Sequence, residues 1–186
     1  MPTVVYDYDP RKIPPDYIAA IGLVTACSAQ TEYVVEMLIG CLLGIDAEYQ
    51  VAVTTHMTAP LRDGVVRAVA EIRIDDLDAL DRLDVLLDQI QSAIDKRNAI
   101  VHRRWSRHPT TGEVFTVKTS ARGSVRSDLA PMSVDQIKSD AAFIYDAGIE
   151  LLQFMIAMGL EPRFPAPRPR AHKTRAARKA RRKKGG

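Results

Sequence analysis

The chain has 186 residues and a mass of 20.6 kDa, with 46% apolar residues, 26% charged residues and a formal net charge of +3. That length allows one domain with an appendage, and the apolar content excludes a wholly disordered chain. The two cysteines, Cys27 and Cys41, are too few for a disulfide framework or a four-cysteine zinc site, so we expect buried, reduced thiols.

One long helix is predicted near the N-terminus. Residues 1–13 are expected to be extended or irregular, and they lack the basic and apolar regions of a secretory signal. Pro14 and Pro15 then mark a helix start, and apolar residues recur at spacings of three and four until Gly44. Three polar residues interrupt this apolar sequence and argue against a membrane span, namely Gln30, Glu32 and Glu36. We therefore expect a cytoplasmic protein without membrane contact.

Two shorter helices and a second long helix follow. Pro60 separates the two short helices, the second of which is expected near residues 61–72. Asp75 or Asp76 then caps a long helix that extends to about residues 102–105. Its apolar residues lie three or four positions apart and form one stripe: Leu77, Leu80, Leu83, Leu87, Ile90 and Ile94.

A short hairpin or ordered loop is predicted before the last helix. Apolar residues beside a Thr-Gly turn favour paired strands, namely Val114, Phe115 and Val117. Ser133, with Gln136 three residues later, has the pattern of a capping box and begins a helix that ends at Gly159. The predicted fold class is therefore all-α, an up-and-down bundle of four or five helices with one hairpin-like insertion.

Charge is divided unevenly along the chain. Residues 161–186 hold 11 of the 26 lysines and arginines and one of the 23 acidic residues, a net charge of +10, which leaves −7 for residues 1–160. The prolines and the charge density of this segment predict a disordered basic tail after a folded domain at residues 1–160. Such a tail either contacts a polyanion, RNA or DNA, through counterion release, or serves solubility alone.

Arg97 breaks the apolar pattern of its own helix. It lies in the stripe between Ile94 and Val101, where an apolar residue is expected. A buried guanidinium is costly unless a carboxylate pairs with it, and Glu32 in the long first helix is the expected partner. By itself, this pair is a structural clamp between two helices.

Three further polar residues lie near Arg97 at the end of that helix. Asp95, Asn98 and His102 have the spacing i, i+3 and i+7 and so share one face. Arg97 is about 140° away from His102 on an ideal helix, but its long side chain can reach around. Because imidazoles transfer protons and guanidinium groups hold phosphates, the cluster favours phosphodiester chemistry. No metal ion or cofactor is expected, since histidines and carboxylates at metal-ligand spacing are missing from the sequence.

The segment RNAIVH at residues 97–102 resembles the R-x4-H motif of the HEPN superfamily, including the asparagine that often follows the arginine. An apolar helix before the motif, Trp105 soon after it and Glu32 in the long first helix fit the same family. The resemblance covers about residues 14–160 and implies a HEPN-like helical domain.

This resemblance implies a metal-independent endoribonuclease of toxin or phage-defence type. In such proteins the 2′-hydroxyl of RNA attacks the adjacent phosphate and leaves a 2′,3′-cyclic phosphate and a 5′-hydroxyl. Carried onto this chain, His102 is the acid or base, Arg97 binds the phosphate and stabilises its charge, and Asn98 positions both. Apart from the resemblance, Asp95 shares a helix face with His102 and is expected to orient it. HEPN domains usually form homodimers with one composite cleft. Such a dimer has a chemical reason here, because one Arg97 and His102 pair cannot easily supply both the acid and the base.

Two other functions stay open. Many HEPN domains are catalytically silent and bind an antitoxin or a nucleotidyltransferase partner. A DNA-associated accessory protein that acts through its basic tail is the second alternative. Motifs of the types GxGxxG, P-loop, HExxH and G-x-S-x-G are missing from the sequence, which argues against dinucleotide-binding, NTPase, zinc-protease and α/β-hydrolase functions.

Basic and aromatic residues directly follow the motif. Arg103, Arg104 and Arg107 either bind RNA phosphates beside the cleft or form a solvated helix end. Trp105 and Phe115 are expected to cover the core rather than stack on bases.

Overall fold

Five α-helices account for most of the structure, a computed structural model that describes residues 7–120 and 126–164. A short 3₁₀ turn at Pro10–Lys12 precedes them. The helices are α1 (Pro15–Leu43), α2 (Ala47–Thr54), α3 (Ala59–Arg73), α4 (Leu77–Val101) and α5 (Val134–Ala157). The prediction of a mostly helical body is confirmed.

The helix ends lie where the sequence places the capping residues. Gly44 ends α1 with φ 66°, a left-handed conformation that favours glycine. The side chain of Asp76 accepts two backbone N–H groups at the start of α4, and Ser133 accepts the N–H of Gln136 at the start of α5. The Gln136 side chain bonds to Asp140 instead of returning to Ser133, so only half of the predicted capping box forms.

Helices α1 and α5 pack together at the centre of the molecule, and α4 packs against both. The hydroxyl of Thr31 on α1 donates to the carbonyl of Ile144 on α5 at 2.7 Å. A Cβ at Gly148 would lie 2.7 Å from Oγ1 of Thr31, so this close approach requires glycine. The largest fully buried side chains all come from these three helices: Val24, Leu38, Ile39, Leu42, Leu83, Leu86, Leu87, Ile100, Ile137, Ile144, Leu151 and Met155.

Helix α1 is predominantly apolar. Within the described residues it alone has the length and mean hydropathy, 1.3, of a helix that can cross a membrane. Core helices of soluble proteins meet the same criterion, and ten residues of α1 between Ala20 and Leu42 are buried here.

The predicted hairpin is a three-stranded antiparallel sheet. Its strands are β1 (Arg104–Arg107), β2 (Val114–Ser120) and β3 (Arg126–Pro131), in the order β1-β2-β3. The third strand has the sequence RSDLAP, which lacks the alternation typical of strands, so pairing with β2 and not local pattern makes it a strand. Because β1 begins directly after α4, the sheet lies beside the C-terminal end of that helix.

Residues 165–186 of the predicted basic tail lie outside the described residues, whereas residues 161–164 lie within them. The carbonyl of Arg163 accepts the N–H of Ala47 at 2.9 Å. Nη1 of Arg163 donates to the carbonyl of Gly44 at 3.0 Å. These bonds attach the segment after α5 to the turn between α1 and α2.

Candidate active site

The C-terminal end of α4 brings Arg97 and His102 into contact. The helix ends at Val101, and the backbone N–H of His102 still donates to the carbonyl of Asn98 at 3.2 Å. Nη1 of Arg97 donates to Oδ1 of Asn98 at 3.0 Å and also contacts Nε2 of His102. The long arginine side chain thus spans the angle that separates the two positions on the helix.

In this contact Nε2 of His102 is the acceptor, because an arginine side chain has only donors. The Nε2 lone pair is therefore occupied by Arg97, and the imidazole can take a proton from a hydroxyl group only when that lone pair is free. The pair therefore places a candidate base and a permanent positive charge at one point.

The expected ion pair between Arg97 and Glu32 is not formed. Glu32 pairs with Arg62 of α3, with 3.5 Å between Oε2 and Nη1, and Glu36 pairs with the same guanidinium at 2.8 Å. Within the described residues no ion pair involves Arg97, which is partly buried and whose Nε has no hydrogen-bond partner. No sequence pattern points to Arg62, because its partners lie on another helix, far away along the chain.

Asp95 does not contact His102. Its carboxylate is exposed and accepts a hydrogen bond from Nε2 of Gln91 at 3.2 Å. It does line the same surface groove as Asn98 and His102. No hydrogen bond between Asp95 and His102 therefore supports the predicted orienting role among the described residues.

An open groove lies between the end of α4 and strand β2. Arg103 and Arg104 line it as expected, together with Lys118 of β2, which the sequence analysis missed. Lys118 is brought there by strand pairing, since Val117 beside it lies opposite Arg104. Three cations against one carboxylate give the groove a positive potential that suits an anionic ligand.

Arg104 is held in place by two contacts. Its Nη2 donates to the hydroxyl of Thr119 at 3.2 Å, and its guanidinium lies 5.3 Å from the ring centroid of Tyr8. A guanidinium fixed on an aromatic face loses little further freedom when it binds a phosphate.

Arg107 lies outside the groove. It is three residues from Arg104 along β1, and this odd spacing places the two side chains on opposite faces of the strand. Its guanidinium packs beside Gly112 in the turn to β2. The structure therefore brings Arg103 and Arg104 to the candidate site and leaves Arg107 apart from it.

Trp105 covers the core, as predicted. Its Nε1 donates to the carbonyl of Ile100 at 2.9 Å, and its ring meets the ring of Tyr17 edge to face with centroids 6.3 Å apart. Because the indole N–H and one ring edge are occupied, Trp105 serves as a lid on the end of α4.

A cavity of about 220 Å³ lies between α1, α3 and α4. Arg97 and Asn98 line it, and Asn98 also lines the open groove, so the two recesses meet at this residue. The walls are mainly apolar, but eight polar residues also line the cavity: Ser28, Thr31, Glu32, Arg62, Asp63, Gln91, Arg97 and Asn98.

Other polar groups add no further candidate site. Within residues 7–120 and 126–164, no group of three or more His, Cys, Asp or Glu side chains is placed to hold a metal ion. Cys27 and Cys41 are free and partly buried, and burial raises the pKa of both thiols. Nδ1 of His108 accepts backbone N–H groups of Thr110 and Thr111 and so supports the turn before β2.

Comparison of the chain with protein-family models, curated proteins and solved structures gives no match.

Proposed function

We propose that this chain is a HEPN-type, metal-independent endoribonuclease that works as a homodimer on cytoplasmic RNA, in a toxin or phage-defence role. The observation that carries the proposal is the contact of Arg97 with Nε2 of His102 beside an open cationic groove. A proton-transferring group and a phosphate-binding group at one point are what RNA cleavage by its own 2′-hydroxyl requires.

The reaction uses side chains that the site contains. When RNA binds, Arg97 turns from Nε2 of His102 to the phosphate, which frees the Nε2 lone pair. Nε2 then accepts the proton of the ribose 2′-hydroxyl, and the 2′-oxygen forms a bond to phosphorus. The bond from phosphorus to the 5′-oxygen breaks, and that oxygen takes a proton from a general acid. Arg97 donates to the non-bridging oxygens, where negative charge increases during attack. The products are a 2′,3′-cyclic phosphate and a 5′-hydroxyl.

A second copy of the chain supplies the general acid. His102 is the only histidine in the groove among the described residues, and one neutral imidazole cannot act as base and acid in the same step. In a homodimer with the ends of α4 facing each other, one His102 takes the proton while His102 of the second copy, in its protonated form, donates one.

The groove cations bind the RNA backbone on either side of the cleaved bond. Arg103, Arg104 and Lys118 offer point charges and hydrogen-bond donors but no base-reading pattern. Binding through them is independent of sequence and falls as salt concentration rises.

The deciding experiment compares the wild-type chain with His102→Ala and His56→Ala on one structured RNA. His56 is an exposed histidine away from the groove and serves as the matched control. We expect wild type and His56→Ala to cleave with cyclic phosphate ends, with or without EDTA, and His102→Ala to leave the RNA intact.

Three outcomes would overturn the proposal. Cleavage by His102→Ala equal to wild type would remove the proposed base, and loss of wild-type cleavage in EDTA would show a metal-dependent mechanism. Intact RNA with every variant, together with stable binding of a co-expressed protein, would favour the silent interaction module instead.

A further inference from the structure

The cavity beside Arg97 contains an unusual concentration of unpaired polar atoms. Five buried side-chain nitrogen or oxygen atoms in the described residues lack a hydrogen-bond partner. Three of them belong to residues that line this one cavity, namely Oγ of Ser28, Nε of Arg62 and Nε of Arg97. Since buried polar groups are normally satisfied, three such groups around one space indicate that its occupant provides the missing partners.

The donors and acceptors of the lining define the chemistry of that occupant. The two Nε–H groups need acceptors, the Ser28 hydroxyl can donate or accept, and the carboxylate of Glu32 can accept. The carboxylates of Glu32 and Asp63 balance the guanidinium groups of Arg62 and Arg97, so the lining has no net positive charge that favours an anion over a neutral ligand. A neutral ring that carries carbonyl or ring-nitrogen acceptors and an N–H donor fits both requirements.

The size and walls of the cavity suit such a ring. Its volume is about 220 Å³, and an apolar cavity of roughly 150 Å³ is enough to hold benzene. Leu87, Ile90 and Ile94 of α4 supply an apolar side. Glu32 and Gln91 are exposed lining residues, so the cavity reaches the surface.

We infer that this cavity binds a nucleobase, and that the base belongs to the RNA strand held in the adjoining groove. The inference rests on the proposed ribonuclease function for the source of the base. Asn98 lines both recesses, and Arg97 contacts His102 while lining the cavity. A nucleotide with its phosphate at Arg97 and His102 is therefore placed to insert its base between α1, α3 and α4, which makes the cavity the determinant of base preference at the cleaved bond.

The test measures binding without any cleavage. Wild type, Ser28→Val and Ser92→Val are each titrated with the four ribonucleoside 5′-monophosphates and with ribose 5-phosphate at one salt concentration. Ser28→Val replaces an unpaired buried hydroxyl with two methyl groups that project into part of the cavity. Ser92 is exposed on α4 outside the cavity and is the matched control. Ala59→Leu, at a partly exposed part of the lining, is the second filling variant should Ser28→Val fail to fold.

We expect at least one nucleotide to bind wild type and Ser92→Val about tenfold more tightly than ribose 5-phosphate, and the filling variants to abolish that difference. Equal binding of ribose 5-phosphate and all four nucleotides would overturn the inference, as would a difference that survives in both filled variants. These outcomes do not depend on turnover, so they are separate from the failure of the ribonuclease proposal.

A second arm identifies the source of the base. Short RNAs that carry a single abasic nucleotide at successive positions are bound to His102→Ala protein, which is not expected to cut them. We expect one abasic position to weaken binding about tenfold in the Ser92→Val background and to have no effect in the Ser28→Val background. If no abasic position matters while a free mononucleotide binds, the cavity is a free-nucleotide site and the assignment to RNA is wrong.

Discussion

The guanidinium of Arg97 contacts Nε2 of His102 on the groove side of α4, while its Nε is buried beside the cavity without a hydrogen-bond partner. One side chain therefore belongs to two recesses. A ligand that satisfies Nε also fixes the position of the Nη atoms that a phosphate would meet. If the proposed ribonuclease function holds, this single planar group couples binding in the cavity to catalysis in the groove.

Replacing Arg97 separates its proposed catalytic role from any role in folding. We expect Arg97→Ala to lower RNA cleavage by about 10²-fold or more, since a charge-stabilising donor is lost. Arg97→Lys keeps the charge but not the planar fork, and we expect it to restore little activity. Initial rates on one RNA measure both.

The same variants are expected to stay folded. Arg97 has no carboxylate partner among the described residues, so we expect Arg97→Ala to change the free energy of unfolding in urea by less than about 1 kcal/mol. A loss of about 3 kcal/mol or more would mean that the low activity reflects unfolding and not catalysis.

Arg62 holds α3 against α1 through two carboxylates. Its side chain is 13% exposed, and it pairs with Glu36 at 2.8 Å and with Glu32 at 3.5 Å. Arg62→Met leaves two carboxylates close together without their cation. We expect the free energy of unfolding to fall by about 2 kcal/mol, a value between those typical of exposed and of fully buried ion pairs. Adding Glu36→Gln should recover part of that loss in urea unfolding. Strict additivity of the two variants would show that the ion pair carries no coupling energy.

Local sequence patterns predicted the helices well because each helix carries its own signals. Gly44, Asp76 and Ser133 act within one turn of their own position, so their effect can be read without a tertiary structure. The contact of Arg97 with His102 was also accessible, because both residues lie at the end of one helix.

Features that depend on distant segments were not accessible from the sequence. Strand β3 exists only because β2 pairs with it, and Lys118 reaches the groove through the same pairing. The pairing of Glu32 with Arg62 instead of Arg97 depends on how α3 packs against α1. The cavity likewise arises from helix packing, and no residue spacing indicates an empty space.

The cations of the groove are expected to bind RNA through its phosphates. Lys118→Ala and Arg104→Ala should each weaken binding by a similar factor for unrelated RNA sequences. Each should also reduce the slope of log affinity against log salt by about 0.7. Filter binding over a salt series measures both quantities in the His102→Ala background.

Arg107→Ala is the matched control for this series. The residue lies on the same strand as Arg104 but packs beside Gly112, outside the groove. We expect the RNA affinity and the salt slope of Arg107→Ala to equal those of the parent protein. A fall equal to that of Arg104→Ala would mean that RNA follows the other face of the sheet.

The two thiols should be slow to react in the folded protein. Burial disfavours the thiolate and raises the pKa of Cys41, and burial followed by the charge of Asp146 raises the pKa of Cys27. At about pH 8, close to the ordinary thiol pKa of about 8.5, less thiolate is present in the folded chain than in the unfolded chain. The folded protein should therefore react with iodoacetamide more slowly than the protein unfolded in urea. The midpoint pH of the alkylation rate should also be higher for the folded protein. Equal pH profiles in both states would contradict the raised pKa values.

Gly148 sets the distance between α1 and α5. A Cβ at this position would lie 2.7 Å from Oγ1 of Thr31, so we expect Gly148→Ala to lower the free energy of unfolding by about 1–3 kcal/mol. Gly64 on α3 has nothing within 4 Å of its added Cβ, so Gly64→Ala should instead stabilise the protein by about 0.5–1 kcal/mol through helix propensity. Urea unfolding of both variants measures the contrast. Thr31 also lines the cavity, so a shift of α1 in Gly148→Ala should weaken nucleotide binding as well. If Gly148→Ala stabilised the protein as Gly64→Ala does, α1 and α5 would be less tightly packed than the contact at Gly148 requires.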